Sequence, residues 1–584
     1  MSQINPNNSR VAKLKKLFHI SSELIREYGL SYFIRVAFEE LFKQKGKLFS
    51  PDTVSHEIKS EFIVNYDDFL ENLQSERDIS SSKIQSFSIQ PFFSLVLFVN
   101  KNTPSIQKIL KDQIYKNFEL ILVSSTKKHV DSFVDKNNIS NFQKLILDAP
   151  KFDDILDISK SDYFVFLDDS YLLQSDFLFN VVDNINQNNL GDVYYFDEDF
   201  IDKHEKRKNP FFKPNWSPYL LRSFNYIGNS FVINKQILNK LSNYTLSDKN
   251  FRYDLVLHCA EISAKFIHIP IPCCSIHQEQ KIDQTEILSK HIQRLGLNAV
   301  VEAGYAPNTL RVHYSLQNEP KVSIVIPTKN NKSLLKRCLE SLENNTNYKN
   351  FEIIIVDNNS SDEKTLEYYD SLDYTIISYK DPFNFSKMNN LGVGKAQGDY
   401  ILCLNDDTKA IDPDWLTEMV SICQQSDVGI VGAKLLHSNG TIQHAGAVFL
   451  KSGSGFHIFE NILENDVGFF NLHNVIRDFS AVTGACLLIK KSIFEKIDGY
   501  DDNFDLFYGD ADLCLKTLKV GFHVVYTPFA RLLHEGSTTI KKNSESFFAI
   551  ENHFYFINKW SYLKQGDPFY NYNLGWNYSI AKSA

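Results

Sequence analysis

Two short stretches in the C-terminal half hold residue types suited to chemistry. Tyr400-Ile401-Leu402-Cys403-Leu404-Asn405-Asp406-Asp407-Thr408 is an apolar strand pattern that runs straight into adjacent carboxylates. In an open α/β sheet, ligands collect beyond the carboxyl ends of the strands. Adjacent carboxylates there suit a hard divalent cation, Mg²⁺ or Mn²⁺, shared with substrate phosphates. Further along, Tyr508-Gly509-Asp510-Ala511-Asp512-Leu513 sets a carboxylate at the start of a helix. That position favours the charged form and suits a general base. A metal-diphosphate site with a separate base is what a sugar transferase using a nucleotide-sugar donor requires.

Such a transfer needs the leaving diphosphate neutralised, the acceptor hydroxyl deprotonated and the nucleotide held in place. Val356-Asp357-Asn358-Asn359-Ser360 ends another apolar strand, and Asp357 could accept a hydrogen bond from a base imide or ribose hydroxyl. Taken alone, Asp357 reads better as an Asx-turn residue. Asp510 and Asp512 are also ordinary first-turn helix acids. His534, in Leu532-Leu533-His534-Glu535-Gly536, offers a neutral imidazole as a further metal ligand. The sites gain weight jointly.

The chain has 584 residues, 43% hydrophobic and 13% aromatic, enough for more than one core. A formal net charge of -9 gives no bias toward nucleic acid, and no nucleic-acid partner is expected. No apolar run approaches the roughly 18 residues that span a bilayer. Met1 to Asn8 is polar, unlike a signal peptide. The eight Cys form no CxxC pair and lie mostly in apolar stretches, which predicts reduced core thiols, no zinc site and a cytoplasmic location, with peripheral contact at the inner face of the membrane.

Residues 1–85 read as a helical extension. Lys13-Leu14-Lys15-Lys16-Leu17-Phe18 and Tyr32-Phe33-Ile34-Arg35 give residues 10–50 the look of basic amphipathic helices suited to an anionic membrane surface, although Glu23, Glu27, Glu39 and Glu40 dilute that face. The remainder is a diverged internal repeat. Phe93-Ser94-Leu95-Val96-Leu97-Phe98 parallels Val322-Ser323-Ile324-Val325-Ile326-Pro327. Tyr115-Lys116-Asn117-Phe118-Glu119 parallels Tyr348-Lys349-Asn350-Phe351-Glu352. Phe164-Val165-Phe166-Leu167-Asp168-Asp169-Ser170 parallels Ile401 to Asp407, and Tyr253-Asp254-Leu255 parallels Ala511-Asp512-Leu513. The matches keep one order, which predicts two α/β domains with mostly parallel sheets, at 86–290 and 320–584, joined by 291–319.

The C-terminal half resembles the inverting family 2 glycosyltransferases of GT-A fold, above all rhamnosyltransferases and other O-antigen or cell-surface-glycan transferases. The likeness is carried by Val322 to Thr328, Ile355-Val356-Asp357-Asn358, Asn384-Phe385-Ser386-Lys387-Met388-Asn389-Asn390, Leu404-Asn405-Asp406-Asp407, Thr483-Gly484-Ala485-Cys486, Gly509 to Lys516, and His534. It implies two tandem GT-A-like domains. It also implies nucleotide contacts from Pro327, Thr328, Asp357, Lys387, Asn390, Asn405 and Asp406. Asp407 with His534 would hold the divalent metal, Asp510 would be the base, and Gly484, Gly509, Asp512 and His444 would border the acceptor. The expected partners are a nucleotide-diphosphate sugar and a lipid-linked or polysaccharide acceptor. Two departures stand out: Asn405 opens the metal motif where the family has Asp, and Gly509 precedes the base where it often has Glu.

Residues 86–290 resemble the extra domain of tandem family 2 transferases through Tyr195-Phe196-Asp197-Glu198-Asp199 and Pro210-Phe211-Phe212-Lys213-Pro214-Asn215-Trp216-Ser217-Pro218. Asp357 aligns there with Ser124, Asp407 with Ser170 and Asp510 with Arg252, while Asp168, Asp169 and His277 survive. Serine is a poor metal ligand and Arg cannot act as a base, so this copy is expected to organise the acceptor or the architecture. Three rival readings are a glycan-binding scaffold with both sites vestigial, a two-site bifunctional transferase, and a nucleotidyl transferase. Neither first strand leads into the Gly-rich phosphate loop that the last of these would need.

Overall fold

The computed structural model describes residues 64–580 apart from 76, 78, 80, 149, 242–243, 247–250, 278–282 and 537–546. The stretch 10–50, expected at a membrane surface, lies outside the described residues. Within the expected helical extension, Tyr66–Ser75 and Ser81–Ser86 are helices.

The strands are β1 (Phe93–Phe98), β2 (Phe118–Ser124), β3 (Gln143–Ile146), β4 (Tyr163–Leu167), β5 (Tyr171–Leu173), β6 (Val193–Ile201), β7 (Arg207–Phe211), β8 (Phe231–Asn234) and β9 (Phe266–Ile276) in the first sheet. A hairpin of β10 (Ala299–Ala303) and β11 (Leu310–Tyr314) follows. The second sheet holds β12 (Val322–Thr328), β13 (Phe351–Asp357), β14 (Thr375–Ser378), β15 (Tyr400–Leu404), β16 (Thr408–Ala410), β17 (Val428–Leu436) and β18 (Ile442–His444). β19 (Ala447–Phe449) and β20 (Gly455–His457) pair separately, and β21 (Arg477–Asp478), β22 (Cys486–Lys490) and β23 (His523–His534) complete the sheet.

The first sheet runs β3-β2-β1-β4-β8-β6-β9-β5, with β7 beside β6. The second runs β14-β13-β12-β15-β22-β17-β23-β16, with β18 beside β17 and β21 beside β23. Strand for strand, the order is the same. Both sheets are parallel through their first four strands and again where β6 meets β9 or β17 meets β23. Antiparallel pairings enter at β8 and β22. The repeat read from sequence is therefore a repeat of topology, with parallel-rich sheets in both copies.

Two strand registers set up the site. The β-branched run of β13 lies beside β12 from Val322↔Phe351 to Thr328↔Asp357, so Thr328 and Asp357 emerge together. β15 pairs with β12 only as far as Val325↔Cys403, after which Asn405-Asp406-Asp407 leaves the sheet plane.

One apolar core contains Val96, Ile121 and Phe164 of the first sheet together with Ile324, Ile355 and Leu402 of the second. The other face of the first sheet, with Leu95, Leu97 and Val165, forms a second core. At the seam between the copies the fully buried Asp478 accepts hydrogen bonds from the Ser217 hydroxyl (2.5 Å) and the Tyr219 N–H (3.0 Å), and meets His523 Nδ1 at 2.7 Å. Arg311 on the β10–β11 hairpin pairs with the buried Glu418 at 2.8 Å. All eight Cys are buried and unbridged.

Candidate active site

The ends of β12 and β13 carry Thr328 and Asp357. The Asp357 carboxylate accepts from the Ser360 N–H (3.0 Å), the Ser360 hydroxyl (2.5 Å) and the Tyr369 hydroxyl (3.0 Å). This is an Asx-turn arrangement that holds the loop after the strand. Thr328 Oγ1 donates instead to Asp406 Oδ2 at 2.6 Å, and Asn331 Nδ2 donates to the same oxygen at 3.1 Å. Burial pushes the Asp406 carboxyl up to about 6, and the neighbouring Asp407 charge adds to the rise against the two hydrogen bonds. Past Asn331 the surface opens into a depression lined also by Asn330, Lys332, Lys336 and Lys364.

β16 pairs with β23 at Thr408↔His534, which brings His534 alongside the metal motif. His534 Nε2 lies 3.0 Å from Asp407 Oδ1, with the two side chains 8% and 13% exposed. Asn405 Nδ2 is 3.4 Å from the same nitrogen. Two cis ligands of an octahedral ion with bonds near 2.1 Å stand about 3 Å apart. The carboxylate and imidazole thus fit a Mg²⁺ or Mn²⁺ ion whose other positions go to phosphate oxygens and water. Among the described residues no group of three or more His, Cys, Asp or Glu is poised to enclose a metal. A protein-only cage is not what this edge provides.

Asp510 is the second residue of the helix Gly509–Lys519. Its Oδ2 accepts the Gly484 N–H at 2.8 Å and its Oδ1 accepts the Ala511 N–H at 2.8 Å. Tyr508, just before it, is left-handed at φ 66°, a conformation costly for a bulky residue. The Tyr508 hydroxyl meets His553 Nδ1 at 2.9 Å, and its ring stacks on Phe556 at 4.6 Å. Gly509 also has a local reason: a Cβ there would fall 2.8 Å from Ser386 Oγ, so the larger residue common at this position in the family would clash. The Asn405 N–H donates to the Ala485 carbonyl at 3.1 Å. The loop Thr483-Gly484-Ala485 therefore touches Asp510 with one residue and the Asn405-Asp406-Asp407 turn with the next.

The other expected site residues fall in three groups. Pro327 is half-buried on β12, and Lys387 is exposed in the first turn of the helix Phe385–Val393. The Asn390 side chain is committed to the Tyr500 N–H and carbonyl and to Asp502, each at 2.9 Å, and so braces the loop before the base. Asp512 and His444, expected to border the acceptor, are both fully buried. Asp512 accepts from Trp560 Nε1 at 2.8 Å and pairs with Lys559 at 2.8 Å, so it anchors the C-terminal helix Phe547–Lys559. His444 accepts the Thr483 N–H at 3.3 Å and packs edge-on against His457, and burial pushes its pKa well down, leaving it neutral.

In the first copy the corresponding positions are Ser124, Ser170 and Arg252. Arg252 Nη1 pairs with Asp168 Oδ2 at 2.8 Å and its Nε donates to the Phe166 carbonyl at 3.2 Å. The guanidinium thus occupies the base position and neutralises the carboxylate matching Asn405. His277 does not correspond to His534: β5 meets β9 at Tyr171↔Ile276 where β16 meets β23 at Thr408↔His534. A hydrocarbon, Ile276, stands where the imidazole would be. His277 faces away and its Nε2 meets the Lys108 carbonyl at 2.7 Å.

The model of glycosyl transferase family 2 matches residues 323–498. These residues form a family 2 glycosyltransferase domain. The matched span holds the metal motif and Gly484 and stops before Asp510 and His534. The chain is 33% identical over 404 residues to the O-antigen biosynthesis protein RfbC of Myxococcus xanthus, covering 65% of this chain and 31% of the relative. It is 31% identical over 448 residues to the uncharacterized protein y4gI of Sinorhizobium fredii, covering 72% of this chain and 49% of that one. The chain therefore spans about a third to a half of these relatives. A mannosyltransferase from Pyrobaculum calidifontis, solved with GDP-mannose and Mn²⁺, aligns with 38% of this chain and 59% of its own at 16% identity and a TM-score of 0.28.

Proposed function

We propose that the second copy transfers a sugar from a nucleotide-diphosphate donor to a growing cell-surface glycan, lipid-linked or polysaccharide, by single displacement with inversion. The observation that carries this reading is the Gly484–Ala485 junction, which ties the Asp510 carboxylate and the Asn405-Asp406-Asp407 motif together over two residues. Asp510 takes the acceptor proton as the oxygen attacks the anomeric carbon. The Gly484 N–H orients its carboxylate, leaving lone pairs on both oxygens for the acceptor. Asp407 and His534 would hold the divalent cation, which when bound supplies positive charge to the departing diphosphate. Asp406, Thr328 and Asn331 form one hydrogen-bonded edge for the nucleoside, with Pro327, Asp357, Lys387 and Asn390 around it. Gly484 and Gly509 would border the acceptor beside the base, packed against Phe385 and Ser386.

The first copy, on this reading, transfers nothing, because Arg252, Ser170 and Ile276 remove base and ligands together. Among the described residues no helix is long and apolar enough to cross a membrane. We place the enzyme on the cytoplasmic face with residues 10–50 as its membrane contact. The test is a thermal-shift titration of the whole chain with UDP, dTDP, GDP and CDP plus Mn²⁺ or Mg²⁺, beside Asp407→Ala. A shift with one nucleotide that vanishes in the variant supports the donor site and names the donor. No shift with any of them, in folded protein, would move the reading to a glycan-binding scaffold.

A further inference from the structure

Two buried carboxylates, Asp197 on the first copy and Asp567 on the C-terminal tail, take no part in the proposed chemistry. Asp197, on β6 of the first copy, is fully buried. It accepts from the Lys213 N–H at 2.8 Å, meets His268 Nε2 at 2.8 Å, and accepts from Asn571 Nδ2 at 3.0 Å to each oxygen. Asn571 also donates to the Lys213 carbonyl at 2.9 Å, Asn573 donates to the Pro270 carbonyl at 2.8 Å, and the Asn215 N–H donates to the Pro568 carbonyl at 3.0 Å. The tail is thereby tied to the first copy at Pro568, Asn571 and Asn573.

Four residues earlier the same tail grips the second copy. Asp567, 4% exposed, accepts the Phe449 N–H at 2.9 Å, and Phe449 ends β19. Across the hairpin, Phe456 on β20 stacks on Trp576 at 4.6 Å and meets Tyr570 edge-on at 5.7 Å. At the hairpin's turn Lys451 lies over the Tyr572 ring at 4.5 Å. The opposite side of the hairpin touches the helix that braces Tyr508: Phe449 packs on Phe556 at 5.1 Å, and Gly453 is so close to Ile557 that a Cβ would fall 2.3 Å from it. The hairpin also carries His457, against His444 and so against the Thr483 loop.

We infer that the C-terminal tail is a strap through which the first copy sets the position of the β19–β20 hairpin beside the base, with Asn571 and Asp567 as positioning residues for the acceptor. The inference rests on the proposed transferase reading for what the hairpin borders. It gives the first copy a mechanical share in acceptor placement after the loss of its own site. The hairpin reaches the base through His457, His444 and the Thr483 loop, so its placement bears on how an acceptor meets Asp510.

Hydrogen exchange on the whole chain tests the strap without any acceptor. Asn571→Asp sets a second carboxylate against Asp197, and Asn571→Ala removes the three hydrogen bonds as a milder change. Exchange at 447–457 should rise about tenfold while the amides of β15 and β16 stay protected. Unchanged exchange at 447–457, or a rise across the whole chain, would each overturn the strap. With the nucleotide sugar selected by the thermal shifts and a lipid-diphosphate-linked oligosaccharide mixture as probe, KM should rise about tenfold for the oligosaccharide and hold within about twofold for the donor. Equal changes in both would overturn the acceptor role. Absence of any nucleotide shift in the parent protein would count against the donor site alone, since the exchange comparison stands without it.

Discussion

The two copies share one strand order and differ at the three places where chemistry would occur. In the second copy Asp407 faces His534 and a glycine amide steadies Asp510. In the first, Ser170 and Ile276 replace the former pair and Arg252 closes on Asp168. The scaffold does not fix activity, because the same sheet is compatible with either set. What differs is charge: one edge collects the carboxylates Asp406 and Asp407, and the other sets the Arg252 guanidinium against Asp168. On the proposed reading the first kind of edge is the one that metal and diphosphate would complete.

That contrast can be broken most sharply at the base. Asp510→Asn should lower kcat by at least about 10²-fold, with donor KM nearly unchanged, measured as nucleoside diphosphate release. Arg252→Asp in the first copy should add no turnover to that variant. Next in size is the metal pair. Asp407→Ala or His534→Ala should abolish the Mn²⁺-dependent stabilisation by nucleotide, which is about 2.7 kcal/mol at a hundredfold excess over Kd, while Ser170→Ala leaves it intact. A loss with Ser170→Ala would put the donor in the wrong half.

A smaller effect separates the copies by stability. Arg252→Leu leaves Asp168 partly buried without its partner and should lower the unfolding free energy by about 2 kcal/mol in chemical denaturation, with catalysis by the second copy preserved. The smallest concerns Asp567, which burial pushes up to about 6. A raised carboxylate pKa means that the folded state holds the proton more tightly, so this group's contribution is full below about pH 4 and is lost as pH rises through about 6. Relative to Asp567→Asn, the parent protein should therefore lose stability over that window, read from Tm against pH.

Much of this was legible in the sequence because strands β12, β13 and β15 are apolar runs that end abruptly in polar residues. The counterparts β2 and β4 keep the lengths of β13 and β15, which is why Ser124 and Ser170 fall where Asp357 and Asp407 do. His277 misled because β9 pairs irregularly with β6 near Pro272, and one residue of drift is invisible without the strand register. Asp512 and His444 looked available since polarity suggests exposure, yet Trp560 and the Thr483 amide satisfy them inside the protein. The bond from Gly484 to Asp510 left no signal beyond a glycine near the apolar start of β22. The tail's role had one faint mark, the polar residues Asp567, Asn571 and Asn573 set among aromatic ones.

The apolar core that runs from Val96 and Ile121 through Ile324 and Ile355 has a consequence for how this molecule can change. Residues of both copies lie in one packed volume, so the halves should melt in a single cooperative transition rather than two. A C-terminal piece cut free at residue 320 would expose a hydrocarbon face that the first copy normally covers, and would tend to aggregate. A repeated unit in this position cannot be shed without uncovering the partner that leans on it, whatever chemistry it performs.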